Sequence, residues 1–135
     1  MVPVDFSKNS GKALSHAVKL SRADNARLLI VHVLPTLAYS PEGSFVDYFA
    51  AVESAAKARM KRLVGRYKLK PAAYRSAVVT GGDTARTIAD LAKKHRVAMI
   101  IMGSHGRSGL ERFMLGSVAE RTLRYAHCPV LIVKG

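Results

Sequence analysis

Residues 97–118 read VAMIIMGSHGRSGLERFMLGSV, and the rest of the chain is arranged about them. The first six, 97–102, are apolar, too few for an ordinary helix and rich in β-branched side chains, which predicts a buried strand. The run stops at Gly103. Gly106 and Gly109 follow at intervals of three, and Gly116-Ser117 stands just ahead of a segment with helical spacing. The backbone is therefore bare where it leaves the strand and again where a helix begins. Backbone N–H groups approach an anion closely only where no Cβ intervenes, and a helix N-terminus adds free N–H groups and the positive end of its dipole. The pattern predicts a phosphate-holding loop, to which Ser104 and Ser117 add hydroxyl donors and His105 and Arg107 add charge.

Outward from this stretch the chain alternates strands and helices. Residues 2–6 predict a short first strand ending in Asp5, an acid at the carboxyl end of an apolar run, where a charge is costly unless paired or used. Ser7, Asn9 and Ser10 are good helix caps, and Ala13, Leu14, Ala17 and Val18 recur at helical spacing toward Arg22. Residues 28–33 are almost continuously apolar, as in a parallel strand covered on both faces. Residues 34–44 carry Pro35, Pro41 and Gly43 and predict a loop where a lid could form. A helix is expected over 45–68 with Val52, Ala56, Met60, Leu63 and Tyr67 inward, followed by a weaker strand over 74–79. Thr80-Gly81-Gly82-Asp83 turns into a helix carrying Ile88, Leu91 and Ala92. After Gly116, a helix with Val118, Leu123 and Ala126 inward leads to a last strand in Cys128-Pro129-Val130-Leu131-Ile132-Val133. Five strands alternating with four helices predict an α/β fold, an open parallel sheet with right-handed crossovers and helices on both faces.

The glycine spacing, G-x-x-G, nine residues, then G-S, resembles the ATP-binding signature of the universal stress protein family, met here by Gly103, Gly106, Gly116 and Ser117. Val4-Asp5-Phe6-Ser7 is similar to that family's first strand and loop, residues 29–33 to its second strand and 128–133 to its last. The likeness spans 1–135 as a single universal stress protein domain. It implies a Rossmann-like sheet of order 3-2-1-4-5, similar to the adenine nucleotide alpha hydrolases. Ligands of such sheets sit beyond the carboxyl ends of the strands where the order reverses, which would set Asp5 opposite Gly103. The resemblance also implies ATP, AMP or cyclic AMP as ligand. Gly103, Ser104, Gly106, Gly116, Ser117 and Val118 would hold phosphates and ribose, and Asp5 and the Val33 main chain the nucleoside, while His105, Arg107, Val4 and Met102 complete the set. Mg²⁺ or Mn²⁺ is expected only in company with the phosphates, because hard carboxylate oxygen suits either ion.

Charge and composition bound the alternatives. The 135 residues carry 22 Lys+Arg against 9 Asp+Glu, a formal charge of +13, so the protein attracts polyanions. Lys57, Arg59, Lys61, Arg62, Arg66, Lys68, Lys70 and Arg75 form a basic face that reads either as solvated helix surface or as a weak polyanion or nucleic-acid contact. No aromatic platform or groove-reading motif accompanies it. No run approaches the roughly 18 apolar residues of a membrane span, and the first residues lack the pattern of a signal peptide. A lone Cys128 suits a reducing cytoplasm.

No G-x-x-x-x-G-K-[ST] loop occurs, and the nucleophile elbow G-x-S-x-G is not met because position 102 is Met102. His16, His32, His95, His105 and His127 make no helical pair at metal spacing, and one cysteine cannot build a zinc site. Neither a dedicated catalytic residue nor a protein-held metal is expected. Slow hydrolysis of a bound nucleotide is the alternative. Finally, residues 129–133 are apolar without a break, although the fifth strand would be an edge. Long apolar edges invite pairing, so a homodimer through residues 130–133 is expected.

Overall fold

The computed structural model describes residues 1–36, 45–106 and 115–134. The elements run β1 (Val2–Pro3), α1 (Lys8–Ala23), β2 (Leu28–Pro35), α2 (Phe45–Gly65), a short 3-10 turn (Pro71–Ala73), β3 (Tyr74–Gly81), α3 (Thr84–Lys94), β4 (Ile100–Gly103), α4 (Ser117–Tyr125) and β5 (Val130–Val133). All strand pairs are parallel: β1 with β2, β2 with β3, and β4 with β5.

The expected continuous sheet is divided into two ladders, β1-β2-β3 and β4-β5. With β1 only two residues long, the seam between β1 and β4 is not a ladder. Instead Ile101 N–H donates to Met1 O at 2.9 Å and the Met1 nitrogen donates to Met99 O at 2.7 Å, which sets β1 beside β4.

Alternation along the central strands explains why they read as unbroken apolar runs. Ile30 and Ile101 face one core with Leu14, Ala17, Met60 and Val64 from α1 and α2. Val31, Ile100 and Met102 face the other core with Ile88, Ala92 and Ala119 from α3 and α4. Successive strand residues point to opposite faces, and here both faces are covered. Leu14, Ile30, Ile88 and Ile100 are almost wholly buried, each contributing about 1.5–3 kcal/mol by removal from water.

One expectation is corrected by helix phase and another is refined. In α4 the buried residues are Ala119 and Thr122, while Val118 and Leu123 are 38% and 44% exposed. Gly116 as N-cap fixes the rotation of the helix and turns its small residues toward the core, where α4 also packs beside α3. In α2 the deeply buried residues are Ala56, Met60 and Val64, with Val52, Leu63 and Tyr67 half-buried. That helix ends at Gly65, and Arg66, Tyr67 and Lys68 close a tight turn onto the carbonyls of Leu63, Val64 and Gly65.

Candidate functional site

A crevice of about 750 Å³ opens beyond the carboxyl ends of β1, β2 and β4, between the N-terminal ends of α3 and α4. That volume lies within the range of about 300–1,000 Å³ usual for small-ligand sites. Its floor exists because strands of unequal length lie side by side. β1 pairs with β2 only at Ile30 and Val31, whereas β2 continues to Pro35 paired with β3 alone. Val4 at the end of β1, Val33 on the extension of β2 and Met102 near the end of β4 all line the cavity, and all three are buried.

Asp5 stands at the rim of β1. Its Oδ1 accepts the Ser7 N–H at 3.0 Å. Burial pushes the carboxyl pKa up, but hydrogen bonds from Ser7 and Ser10 outweigh that and hold it below the ordinary value of 3.8. Asp5 is therefore a fixed negative acceptor. Such a group suits hydroxyl donors or a cation and repels phosphate.

The glycines perform separate tasks. A Cβ on Gly103 would lie 2.9 Å from the Asn9 carbonyl carbon, so this glycine lets the start of α1 close on the end of β4. Gly116 has an ordinary extended conformation (φ −60°, ψ 145°), and a Cβ there would lie 3.1 Å from Ser104 O and 3.3 Å from His105 Cα. Its N–H donates to Ser104 O at 2.7 Å, which ties the start of α4 to the loop after β4. A Cβ on Gly106 would meet only the Asp5 carboxylate, at 3.0 Å. Gly103 is thus required by the protein's own packing, and Gly116 is closely fitted by it, before any ligand is considered.

Gly103, Ser104, His105 and Gly106 line the crevice on one side, with Gly116, Ser117 and Val118 opposite. Among the described residues no side chain caps α4 at its N-terminus, where Gly116 is the N-cap, in contrast to α1, capped by Ser7, and α3, capped by Asp83. The first N–H groups of α4 open the helix at the cavity wall, where they favour an anion. Ser104 Oγ lies 3.0 Å from His105 Nδ1, and His105 Nε2 is buried without a hydrogen-bond partner among the described residues. An incoming acceptor or donor would satisfy it. Arg107 and Gly109, and residues 37–44 of the expected lid, lie outside the described residues.

The sequence reading missed one wall. Phe6 has φ 65°, a left-handed conformation unusual for a bulky side chain. Its ring is held between His32, centroids 4.4 Å apart, and the Arg59 guanidinium, 4.6 Å from the ring centre. His32 Nδ1 lies 2.7 Å from Val4 O, and because a carbonyl only accepts, Nδ1 carries the proton. His32 and Arg59 come from β2 and α2, so no local pattern announces the stack. Among the described residues, no group of three or more His, Cys, Asp or Glu is placed to hold a metal.

A parallel α/β sheet with a ligand-sized crevice at its strand ends and a helix N-terminus in the wall defines an α/β domain of the doubly wound class. The universal stress protein family model matches residues 1–134, and the chain belongs to that family. Universal stress protein YxiE of Bacillus subtilis is 33% identical over 147 residues, spanning 99% of this chain and 97% of the relative. Among solved structures, the hypothetical protein MJ0577 superposes with a TM-score of 0.79 at 27% identity, over 99% of this chain and 93% of that one. A universal stress protein solved in complex with cAMP superposes with a TM-score of 0.66 at 26% identity, over 98% of this chain and 93% of the other.

Proposed function

We propose that this chain binds an adenine nucleotide, ATP or alternatively AMP or cyclic AMP, in the strand-end crevice and acts as a nucleotide-dependent stress-response factor. The observation that carries the reading is the uncapped start of α4 facing the 103–106 loop across one cavity with an apolar floor. The phosphates would lie against the N–H groups at Ser117 and Val118 and the hydroxyls of Ser104 and Ser117. The base would rest on the aliphatic floor around Val33, Ile88 and Met102, and Asp5 would accept from ribose hydroxyls. The cAMP complex of the family member at 26% identity supports this choice of ligand class.

The residues fit Mg²⁺ or Mn²⁺ only as a companion of the phosphates. Asp5 is the one carboxylate among the described residues lining the cavity, and its Oδ1 already accepts from Ser7. Such an ion would neutralise phosphate charge when bound. Equilibrium dialysis against ATP, AMP and cyclic AMP tests the proposal, and failure of all three to bind would overturn it.

The same reading extends to assembly. β5 pairs with β4 on one side, and Leu131 on it is 37% exposed. We propose a homodimer formed by antiparallel pairing of Val130–Val133 across a twofold axis, because an apolar edge is otherwise a template for unwanted pairing. Leu131→Lys with Val133→Lys should halve the sedimenting mass. Equal masses for this variant and the wild type would exclude β5 as the interface.

A further inference from the structure

Beside the crevice, and reading independently of it, lies a second cavity of about 820 Å³ between the start of α1 and the end of α2. Lys8 and Lys12 form one wall and Arg59, Arg62 and Arg66 the other, and among the described residues no acidic residue lines it. The spacing is that of two helix faces meeting. Lys8 and Lys12 are four apart on α1, and Arg59, Arg62 and Arg66 follow at three and four along α2 and its closing turn. All five are exposed, and none is in an ion pair among the described residues. The ion pair on the basic face of α2 belongs instead to Lys57, which meets Glu53 at 2.6 Å.

This arrangement opposes the protein's own electrostatics. Lys8 is the first residue of α1, whose first turn has no acidic residue, so a cation sits at the positive end of the dipole. Two rows of like charge then face each other across one groove. An anion lying between the rows relieves both repulsions.

We propose that this groove is a second anion site and that its ligand is a linear chain of phosphates, inorganic polyphosphate. Charge density selects that class. Polyphosphate carries a charge on every phosphate with nothing between them, which suits five cations in one short groove. A single-stranded nucleic acid interposes a nucleoside between charges, and the grooves that hold it add aromatic faces on which its bases stack. Among the described residues the groove offers no such platform: the Phe6 ring is already held by Arg59 and His32, and the Tyr67 hydroxyl donates to Gly11 O at 3.1 Å, tying down that half-buried side chain.

The test is calorimetric titration of the full chain with tripolyphosphate, with AMP and with a single-stranded oligonucleotide of matched charge. Tripolyphosphate should bind in the presence of saturating AMP. Its affinity should fall about tenfold or more in Arg62→Gln/Arg66→Gln, as expected for loss of charged hydrogen bonds, and likewise in Lys8→Gln/Lys12→Gln from the opposite wall. AMP affinity should be the same in both variants. Unchanged tripolyphosphate affinity in either folded variant would overturn the proposal. So would competition by AMP, which would place the phosphate in the crevice, and so would tighter binding of the oligonucleotide. If ATP, AMP and cyclic AMP all fail to bind, the adenine reading of the crevice falls and the groove titration stands alone.

Discussion

The crevice and the cationic groove share Phe6 and Arg59 as a common wall, yet they are made of opposite materials. The crevice is built from strand ends, glycines and main-chain N–H groups, with one carboxylate held charged at its rim. The groove is built from the tips of long, exposed side chains on two helices. A main-chain site is set by packing and tolerates no added atom, whereas a side-chain site leaves the fold nearly indifferent to its residues. Variants of the two should therefore fail in different ways.

The largest effect is expected from Gly116→Val. The branched side chain must enter the space held by Ser104 O, 3.1 Å from the first Cβ, so the loop and the helix start separate. Overpacking of this kind costs about 1–3 kcal/mol. Adenine nucleotide affinity should drop by roughly a hundredfold, near the upper end of that cost, while tripolyphosphate titration of the groove is unaffected. Equal losses from both ligands would mean that the two regions are one site. Next is Gly103→Ala, whose Cβ meets the Asn9 backbone at 2.9 Å. Urea unfolding should show a loss of about 2 kcal/mol, and wild-type stability would refute the close-approach argument.

Asp5→Asn should follow, with nucleotide affinity lowered about tenfold through loss of a charged acceptor and less than in Gly116→Val. Asp5 also has a pH signature. Its pKa in the folded chain lies below the ordinary 3.8, so it contributes stability that is present above that value and lost as pH falls through the folded-state pKa. The stability difference between wild type and Asp5→Asn should therefore shrink on acidification below about pH 4, and a difference independent of pH would show that the carboxylate is not stabilised by its hydrogen bonds. The smallest effect belongs to Asp83→Ala. Asp83 caps α3 through the N–H groups of Ala85 and Arg86, at 3.1 and 3.3 Å, and also meets Arg121. Its loss should lower stability by about 1 kcal/mol and leave both titrations as they were. A change in the nucleotide titration would show that this cap also holds the α3 wall of the crevice in place.

Much of the crevice was legible because it is local. Gly103, Gly106, Gly116 and Ser117 lie within one strand-turn-helix unit, and Asp5 follows a strand whose place beside β4 is what the family resemblance implies. The sequence could name these glycines but not their tasks. Room for phosphate and room for Asn9 leave the same trace, a missing Cβ. The inward face of α4 was misread for a related reason. Val118 and Leu123 are the apolar candidates by type, yet Ala119 and Thr122 are the residues turned to the core once Gly116 fixes the helix phase.

By itself the sequence determined the alternation of strands and helices, the double covering of the central strands and the position of the glycines that line the crevice. Each of these depends on periodicity or on residues a few positions apart. Only the tertiary structure decided the seam between β1 and β4, the Arg59-Phe6-His32 stack and the meeting of Lys8 and Lys12 with Arg62 and Arg66. Those contacts join residues tens of positions apart in the chain. Their existence depends on how α1, α2 and the sheet pack against one another, a collective outcome of burying both faces of the strands that no local spacing encodes.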